Sequence, residues 1–598
     1  MRASKHFLAF AALAAVVAGT PSDALACGGF FCSQTQPVNQ AAERIVFAQN
    51  DDGTVTAIIQ ILYEGPSENF SWLLPISSVP EGDEIAVASN LAFQRLQTAT
   101  NPQYSLTTRV EGNCRSSGGT FSGGSGGTAT TGGSSTGGTG GGSNDGGVVV
   151  VGQGIVGAFE WTVISLDASL PDPADAAVMW LGDNDYDVPA GASSLLRPYL
   201  EDGLYLLALR LTKGSDTGSI RPIVLTYDGT LPSIPIKLTA VAANDDMGVM
   251  TWLLGEGRGV PQNYNALELN EARINWFNAA LNYESVVTAA ADDAGGQGFV
   301  TEYAAATSSL ANVVWSTYDQ SIWQSTSTRL YANFDEIFNT FYSQYGSWDG
   351  FWDAVRSTVT LPAGVAFEDF QVCPSCYSGQ IEFSPADFIS AMETGVIEPV
   401  RLVQAVLDEH PYVTRLYSTL SAMEMTDDPL FTFNPDLPNV SNIHTAERII
   451  ECNPNIFQSE APWRVELPQG GVVRGTADQV GSWPDFSDQP ANFRILRQGD
   501  SGDGRVVEDN ASTIDDMLDA YNETLPGSSG SGGTTGSGGT TGSGGANALG
   551  GTSGSNLNRH RGDSGCNIGG GAASSLPWAL LGLILVARRR PLRKRAPR

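Results

Sequence analysis

"RIVFAQNDDGTVTAIIQILY", residues 44–63, decides the fold. Two runs rich in Ile and Val flank Asn50-Asp51-Asp52-Gly53. A glycine at the end of such a turn supplies the positive φ that a tight reversal requires, so the stretch predicts a β-hairpin. "FSWLLPI", residues 70–76, predicts a third strand, and from Cys27 to Cys114 all the signals are those of strands. Strand patterns resume at "VVVVGQGIVGAFEWTVISL" (148–166), "GLYLLALRL" (203–211), "IRPIVLTY" (220–227), "IPIKLTAVAA" (234–243) and "GVMTWLL" (248–254), with a short helix over Ser193–Leu200. Runs of this kind, punctuated by Gly, Pro and Asp, predict a mostly antiparallel sheet or sandwich.

The pattern changes after Tyr264. "LELNEARINWFNAALNYESVVTAAADD" (267–293) places Leu267, Ile274, Phe277 and Leu281 at helical spacing, and "RLYANFDEIFNTFYSQYG" (329–346) repeats the signal with Leu330, Phe334, Ile337, Phe338 and Phe341. Further helices are expected over Trp348–Val359, Pro385–Glu393 and Pro399–Leu407, before "TAERIIEC" (445–452) and "WRVELP" (463–468) return to strand character. Sheet first, helices later and strands last make an α+β body. Residues 116–147 are almost purely Gly, Ser and Thr, cannot build a core, and read as a disordered insertion. Residues 527–565 repeat that composition and read as a stalk, a coil spanning roughly 35 Å.

Both ends read as targeting segments. Arg2 and Lys5, an apolar run from Phe7 to Val17 and Ala24-Leu25-Ala26 before Cys27 have the order of a cleavable signal peptide over residues 1–26. Acylation of Cys27 is the competing reading. At the other end Cys566 precedes the apolar core Leu576–Ala587, which is shorter than the roughly 20 residues of a bilayer span. Residues 568–587 reach that length only by adding Gly, Ala and Ser. Arg588, Arg589, Arg590, Arg593, Lys594 and Arg595 come next, and such a cluster stays on the cytoplasmic side. The exported body is then residues 27–524, ahead of the linker and a tail over 566–598.

The chain has 64 acidic and 32 basic residues, a formal net charge of -32, and nine of the basic residues lie in the two terminal segments. A body so acidic repels nucleic acid and anionic lipid, and neither is expected as a partner. With Cys566 set aside, Cys27, Cys32, Cys114, Cys373, Cys376 and Cys452 form an even set in an exported chain, which favours disulfides. Spacing does not fix their pairing; the arrangement expected is Cys27–Cys32, Cys373–Cys376 and Cys114–Cys452.

Candidate chemistry is sparse. Cys373-Pro374-Ser375-Cys376 has redox spacing but lacks the helix pattern behind it that would stabilise a thiolate; a structural disulfide is preferred to a redox pair or to a zinc site shared with Cys27 and Cys32. Asp183, Asp185 and Asp187 alternate as in calcium loops, yet Val188 and Ser194 stand where an EF-hand needs Gly and Glu. Calcium is therefore the one cofactor left open, and an acidic turn is the plainer reading. "GEGRGVP" (255–261) lacks the end of a phosphate loop and reads as a hairpin or loop tip. His410 and His444 have neither nucleophile nor metal partner nearby in sequence, and no paired carboxylates stand out.

Two resemblances complete the reading. The order of cysteine, short span and arginine cluster in the last residues resembles the myxobacterial C-terminal sorting signal called MYXO-CTERM. It implies passage through the inner membrane, clipping near Cys566 by a sorting protease, and retention at the cell surface, outer membrane or outside. The phrases "ACGGFFC" (26–32), "RIVFAQNDDGTVTAIIQILYEG", "FSWLLPI", "WLGDNDYDVPAGASSLLRPYLEDG" and "IPIKLTAVAANDDMGVMTWLLGEGR" resemble the family catalogued as domain of unknown function 2330, from about Cys27 to Glu302. That resemblance implies export and a shared fold, but no activity and no functional residues. The expectation is a surface-displayed, non-catalytic binding or structural protein of unidentified ligand, reached through the export machinery. An exported carboxylate-dependent hydrolase and a redox protein using Cys373 and Cys376 are the alternatives.

Overall fold

A computed structural model describes residues 39–525 except 65–70, 81–83, 116–137, 140–143, 146–147, 212–219 and positions 168, 185, 187, 189, 190, 230, 242 and 480. The expected signal peptide, the Cys27–Cys32 pair, the stalk, Cys566 and the arginine tail all lie outside the described residues. So does most of the glycine-rich insertion. At its end, however, Gly138–Thr139 and Asn144–Asp145 pair with the strand Val148–Val156, so this part of the tract is drawn into a sheet.

The hairpin forms between Asn39–Gln49 and Thr54–Glu64, with Ile45 opposite Ile59 and Phe47 opposite Ala57. Gly53 has φ +86°, and the Asn50 side chain ties the turn to Thr54 and Thr56. This hairpin sits inside a ten-stranded mixed sheet. On one side Asn39–Gln49 runs parallel to Ala243–Gly255, which pairs antiparallel with Tyr412–Leu420 and through it with Gly298–Ala306. On the other side Thr54–Glu64 pairs with Ile223–Asp228. A six-stranded antiparallel sheet built on Ser71–Ile76, Tyr205–Leu211, Phe159–Leu166 and Val148–Val156 packs on one face of the large sheet.

Four layers result. Ile45, Phe47, Val55 and Ile59 face Trp72, Leu74, Trp161, Val163 and Leu207 between the two sheets. The alternate residues Val46, Ala48 and Ile58, joined by Trp252 and Leu254, pack on helices including Asn90–Thr100, Phe334–Tyr345 and Glu398–Glu409. On the outer face of the smaller sheet, Leu73, Ile164 and Leu206 meet the helices Pro173–Asp183 and Ala192–Glu201. Asp172 caps the first of these helices by accepting from Ala174 and Asp175, with Pro173 in the first turn where no amide donor is required. A separate four-stranded sheet joins Gln103–Glu111, Ile443–Glu451, Trp463–Glu466 and Val472–Gly475 at the side of this body. The α+β class is therefore observed, with most strands of the two packed sheets from the N-terminal half and most helices after them.

Three expectations are corrected. Residues 267–281 are not helical: Asn265–Leu269 is a strand, Glu271–Arg273 and Trp276–Asn278 are single 3₁₀ turns, and the α-helix covers only Tyr283–Asp293. The asparagines override the spacing, because Asn270 accepts from Ala272 and Asn282 accepts from Asn275, and Ala279 and Ala280 take positive φ. Within "IPIKLTAVAA", Ile236–Thr239 is a short helix after Pro235, and the strand begins at Ala243. Between Cys27 and Cys114 the chain also contains the helix Asn90–Thr100, started by the Ser89 hydroxyl accepting from Leu91. Around "GEGRGVP" the chain passes from the strand Ala243–Gly255 through a tight turn into the strand Arg258–Pro261.

Because the hairpin is covered on both faces, neither face tolerates truncation. Ile45→Ala and Val46→Ala, which empty opposite cores, are each expected to cost about 2–4 kcal/mol. Val506→Ala, on a strand edge where the side chain is 47% exposed, should cost less than about 0.5 kcal/mol. Urea unfolding of the three variants checks this.

Candidate functional site

The strands Gly298–Ala306 and Tyr412–Leu420 are neighbours, and they bring Glu302 and Arg415 together inside the body. Their side chains are 1% and 3% exposed. Glu302 Oε2 lies 2.5 Å from Arg415 Nε without hydrogen-bonding alignment, so charge rather than a directed bond joins these two atoms. The directed bonds go elsewhere. Tyr283 Oη donates to Glu302 Oε1 at 2.7 Å, and Arg415 Nη1 donates to Asn101 Oδ1 at 2.6 Å, to Thr100 Oγ1 and to the Gln97 carbonyl. The arginine thereby holds the carboxyl-terminal end of the helix Asn90–Thr100, where a cation is electrostatically favoured. Trp252 Nε1 donates to the same Thr100 hydroxyl, and its ring lies 5.6 Å below the guanidinium. Burial pushes the Glu302 carboxyl above the usual range, opposed by Arg415 and by the Tyr283 hydroxyl.

Next to this pair stands a second one. His444 Nδ1 bonds Glu271 Oε1 at 2.9 Å, and its ring stacks on Tyr104 with centroids 4.5 Å apart. Tyr104 also contacts the rings of Trp276 and Tyr283. Burial, then the charges of Glu271 and Glu302, hold the Tyr104 hydroxyl protonated well above its ordinary range. Two buried acids, a histidine and two tyrosines thus meet. Glu302 has no open side, and the Glu271 side chain is 7% exposed; His444, at 26%, and the partly buried Tyr104 and Tyr283 are the members that reach solvent. The enclosure of Glu302 leaves it no surface from which to attack a bound molecule.

From His444 one continuous sheet face leads outward. The parallel register pairs His444 with Tyr104, Ala446 with Leu106, Arg448 with Thr108 and Ile450 with Val110, and alternate residues of a strand share a face. The antiparallel neighbour adds Val465 beside Arg448 and Trp463 beside Ile450. The inner end of this face is the Tyr104–His444 stack. Its outer end walls an open cavity of about 940 Å³, lined by Val110, Arg115, Arg448, Ile450, Phe457 and Trp463 among others. Beside it Cys114 is joined to Cys452, their Cα atoms 4.7 Å apart, so the ends of the two parallel strands are fixed where the cavity begins. The opposite face of the sheet is closed by ion pairs of Arg464 with Glu111 and Glu451 and of Arg109 with Glu447.

The residues singled out from sequence are scattered. Cys373 and Cys376 form a disulfide at the end of the helix Phe367–Val372, with Cys373 as its C-cap, so no α-helix amino terminus faces either sulfur. Asp183 closes the helix Pro173–Asp183 on the far side of the smaller sheet, while Asp185 and Asp187 lie outside the described residues. Among the described residues no group of three His, Cys, Asp or Glu side chains is arranged to hold a metal ion, and no helix is long and apolar enough to cross a membrane. His410 is a buried structural residue whose ring nitrogens meet the carbonyls of Val406 and Gln49. Glu271, Glu302, Arg415, Arg448 and Trp463 carry no local signal. Glu271 and His444 are 173 residues apart and meet only through long-range strand pairing.

Residues 21–315 match the model of a family described as an uncharacterized protein conserved in bacteria (DUF2330). No curated protein and no solved structure matches the chain. The matched stretch supplies Tyr104, Val110, Glu271 and Glu302, whereas Arg415, His444, Arg448 and Trp463 come from beyond it. Both the buried cluster and the cavity therefore join the matched stretch to the more C-terminal strands.

Removing one member of the interior pair should unfold more than it frees. Glu302→Ala or Arg415→Ala is expected to cost about 3–5 kcal/mol by leaving the other charge buried, and Glu302→Leu with Arg415→Met should recover much of that loss. Denaturant titration of the single and double variants gives the comparison.

Proposed function

On the footing that residues 21–315 form a domain of that uncharacterized bacterial family, we propose that this protein is an exported, surface-displayed binding protein without catalytic activity. The open cavity beside Cys114–Cys452 carries the binding part of this reading, because its volume suits a small organic ligand and its walls are set by paired strands and a disulfide. Display rests on the order of segments: signal-like start, disulfide-bearing body, glycine-rich linker, then cysteine, short apolar run and arginine cluster. In the MYXO-CTERM reading, residues 1–26 are removed on export, residues 568–587 pass transiently through the inner membrane, and a sorting protease acts near Cys566. Calcium has no assigned place here.

A hydrolase is the second reading, and the Glu271–His444 pair with its exposed edge is what favours it. Against it stand the closed surroundings of Glu302 and, among the described residues, the absence of a nucleophile hydrogen-bonded to the His444 ring, whose bond goes to Glu271. The redox reading is weaker still, because the α-helix Phe367–Val372 ends at Cys373 and only a single 3₁₀ turn, Pro374–Cys376, follows.

Intact-mass analysis of the mature protein is expected to show loss of Met1–Ala26 and of Leu576–Arg598, and Cys566→Ala should abolish surface display. Persistence of the whole tail on surface protein would return the simple-anchor reading. In a thermal-shift screen of small organic molecules, ligands of the cavity should raise the melting temperature of wild type but not of Val110→Trp, which fills the cavity mouth.

A further inference from the structure

The wall of the cavity has a charge opposite to that of the chain. With 64 acidic residues against 32 basic ones, a random patch of this surface would be negative, yet among the described residues no carboxylate lines the cavity and two arginines do. Both are without an acidic partner. Arg464, Arg474 and Arg109 on the other face of the same sheet are all paired with glutamates, whereas neither Arg115 nor Arg448 makes an ion pair among the described residues. Each rests instead on an aromatic ring: the Arg115 guanidinium lies 4.7 Å from the centre of Phe457, and that of Arg448 lies 5.4 Å from Phe277. Arg448 Nε is buried and has no hydrogen-bond partner. A buried donor left unmade is costly, and a guanidinium stacked on a ring keeps its planar edge available for an anion. Asn113, Gln458 and Ser459 add neutral polar groups, while Trp463, Ile450 and Val110 supply apolar wall.

We propose that this cavity is a binding site for a water-soluble organic anion with an aromatic or aliphatic body. Its acidic group meets the guanidinium groups of Arg115 and Arg448, and its body lies against Trp463, Ile450 and Val110. The inference rests on the binding reading and adds the ligand class. The parallel register fixes Arg448 and Ile450 on one face, two residues apart, so charged and apolar contacts are presented together. Anions gain most from donors that are already oriented and partly shielded from water, which is the state of Arg448.

The test uses the full processed chain and two dyes, anilinonaphthalene sulfonate and its uncharged parent phenylnaphthylamine, in fluorescence titrations. The sulfonate should bind more tightly than the parent. The double variant Arg115→Gln, Arg448→Gln should weaken the sulfonate by about tenfold or more, as loss of charged hydrogen bonds does, and leave the parent unchanged. Arg505→Gln, which removes the same charge from an exposed strand elsewhere, should alter neither. Unchanged sulfonate affinity in the double variant would overturn the anion inference. If Val110→Trp still blocked the parent dye in that case, the cavity would remain a binding site of another specificity. Binding of both dyes unaffected by Val110→Trp would remove the binding reading as well. Circular dichroism and melting curves of each variant separate lost folding from lost binding.

Discussion

Two-sided burial of the central hairpin is the constraint on which the rest of the architecture depends. A strand in an ordinary two-layer sandwich buries alternate residues, but Asn39–Gln49 and Thr54–Glu64 lie between a second sheet and a helical layer and bury apolar residues on both faces. The neighbouring strands inherit the requirement. Where one of them carries charge, as at Glu302 and Arg415, the interior provides no water to solvate it, and each charge needs fixed partners. Arg415 finds them at the end of the helix Asn90–Thr100, and Glu302 finds one on the helix Tyr283–Asp293. An ion pair of this kind adds little net stability, but it dictates which helix ends must come close.

Much of this was legible in the sequence where the signal is local. The Asn50–Gly53 turn, the Ile- and Val-rich runs beside it and the helix Phe334–Tyr345 are decided by residues within a turn or two of one another. Residues 267–281 were misleading because periodicity counts apolar positions and overlooks what side chains do to the backbone. Leu267 and Phe277 do enter one core, but from a strand and a 3₁₀ turn, since Asn270, Asn275 and Asn282 divert the chain. The four-layer arrangement could not be read, because alternation shows that a face is buried and not what covers it. The candidate site was illegible for a stronger reason: Arg448 is an ordinary strand arginine until its partners, or their absence, are known.

The two arginines of the cavity are informative because of the chain in which they occur. Acidic side chains outnumber basic ones two to one, so a wall that carries two arginines has a charge that the surrounding surface does nothing to favour. Stacking on Phe457 and Phe277 holds the two cations in place. By contrast, the Tyr104–His444 end of the same sheet face is filled with its own partners, and its chemistry is spent on holding the sheet to the body.

The pairing of Gln103–Glu111 with Ile443–Glu451 also orders events in time. A chain made from its amino terminus has the central hairpin, the strands of the smaller sheet and Ala243–Gly255 available early, and these can begin to pair among themselves. Gln103–Glu111 must wait for a partner whose register places Ile443 opposite Gln103, far downstream, standing meanwhile as an unpaired strand. Its charged and hydroxyl-rich outer positions, Ser105, Thr107, Arg109 and Glu111, keep that waiting edge soluble and discourage pairing with another molecule. The cavity is therefore among the last features to be assembled, and a chain cut before Ile443 would carry the stretch matched by the family model without the strands that complete the cavity wall.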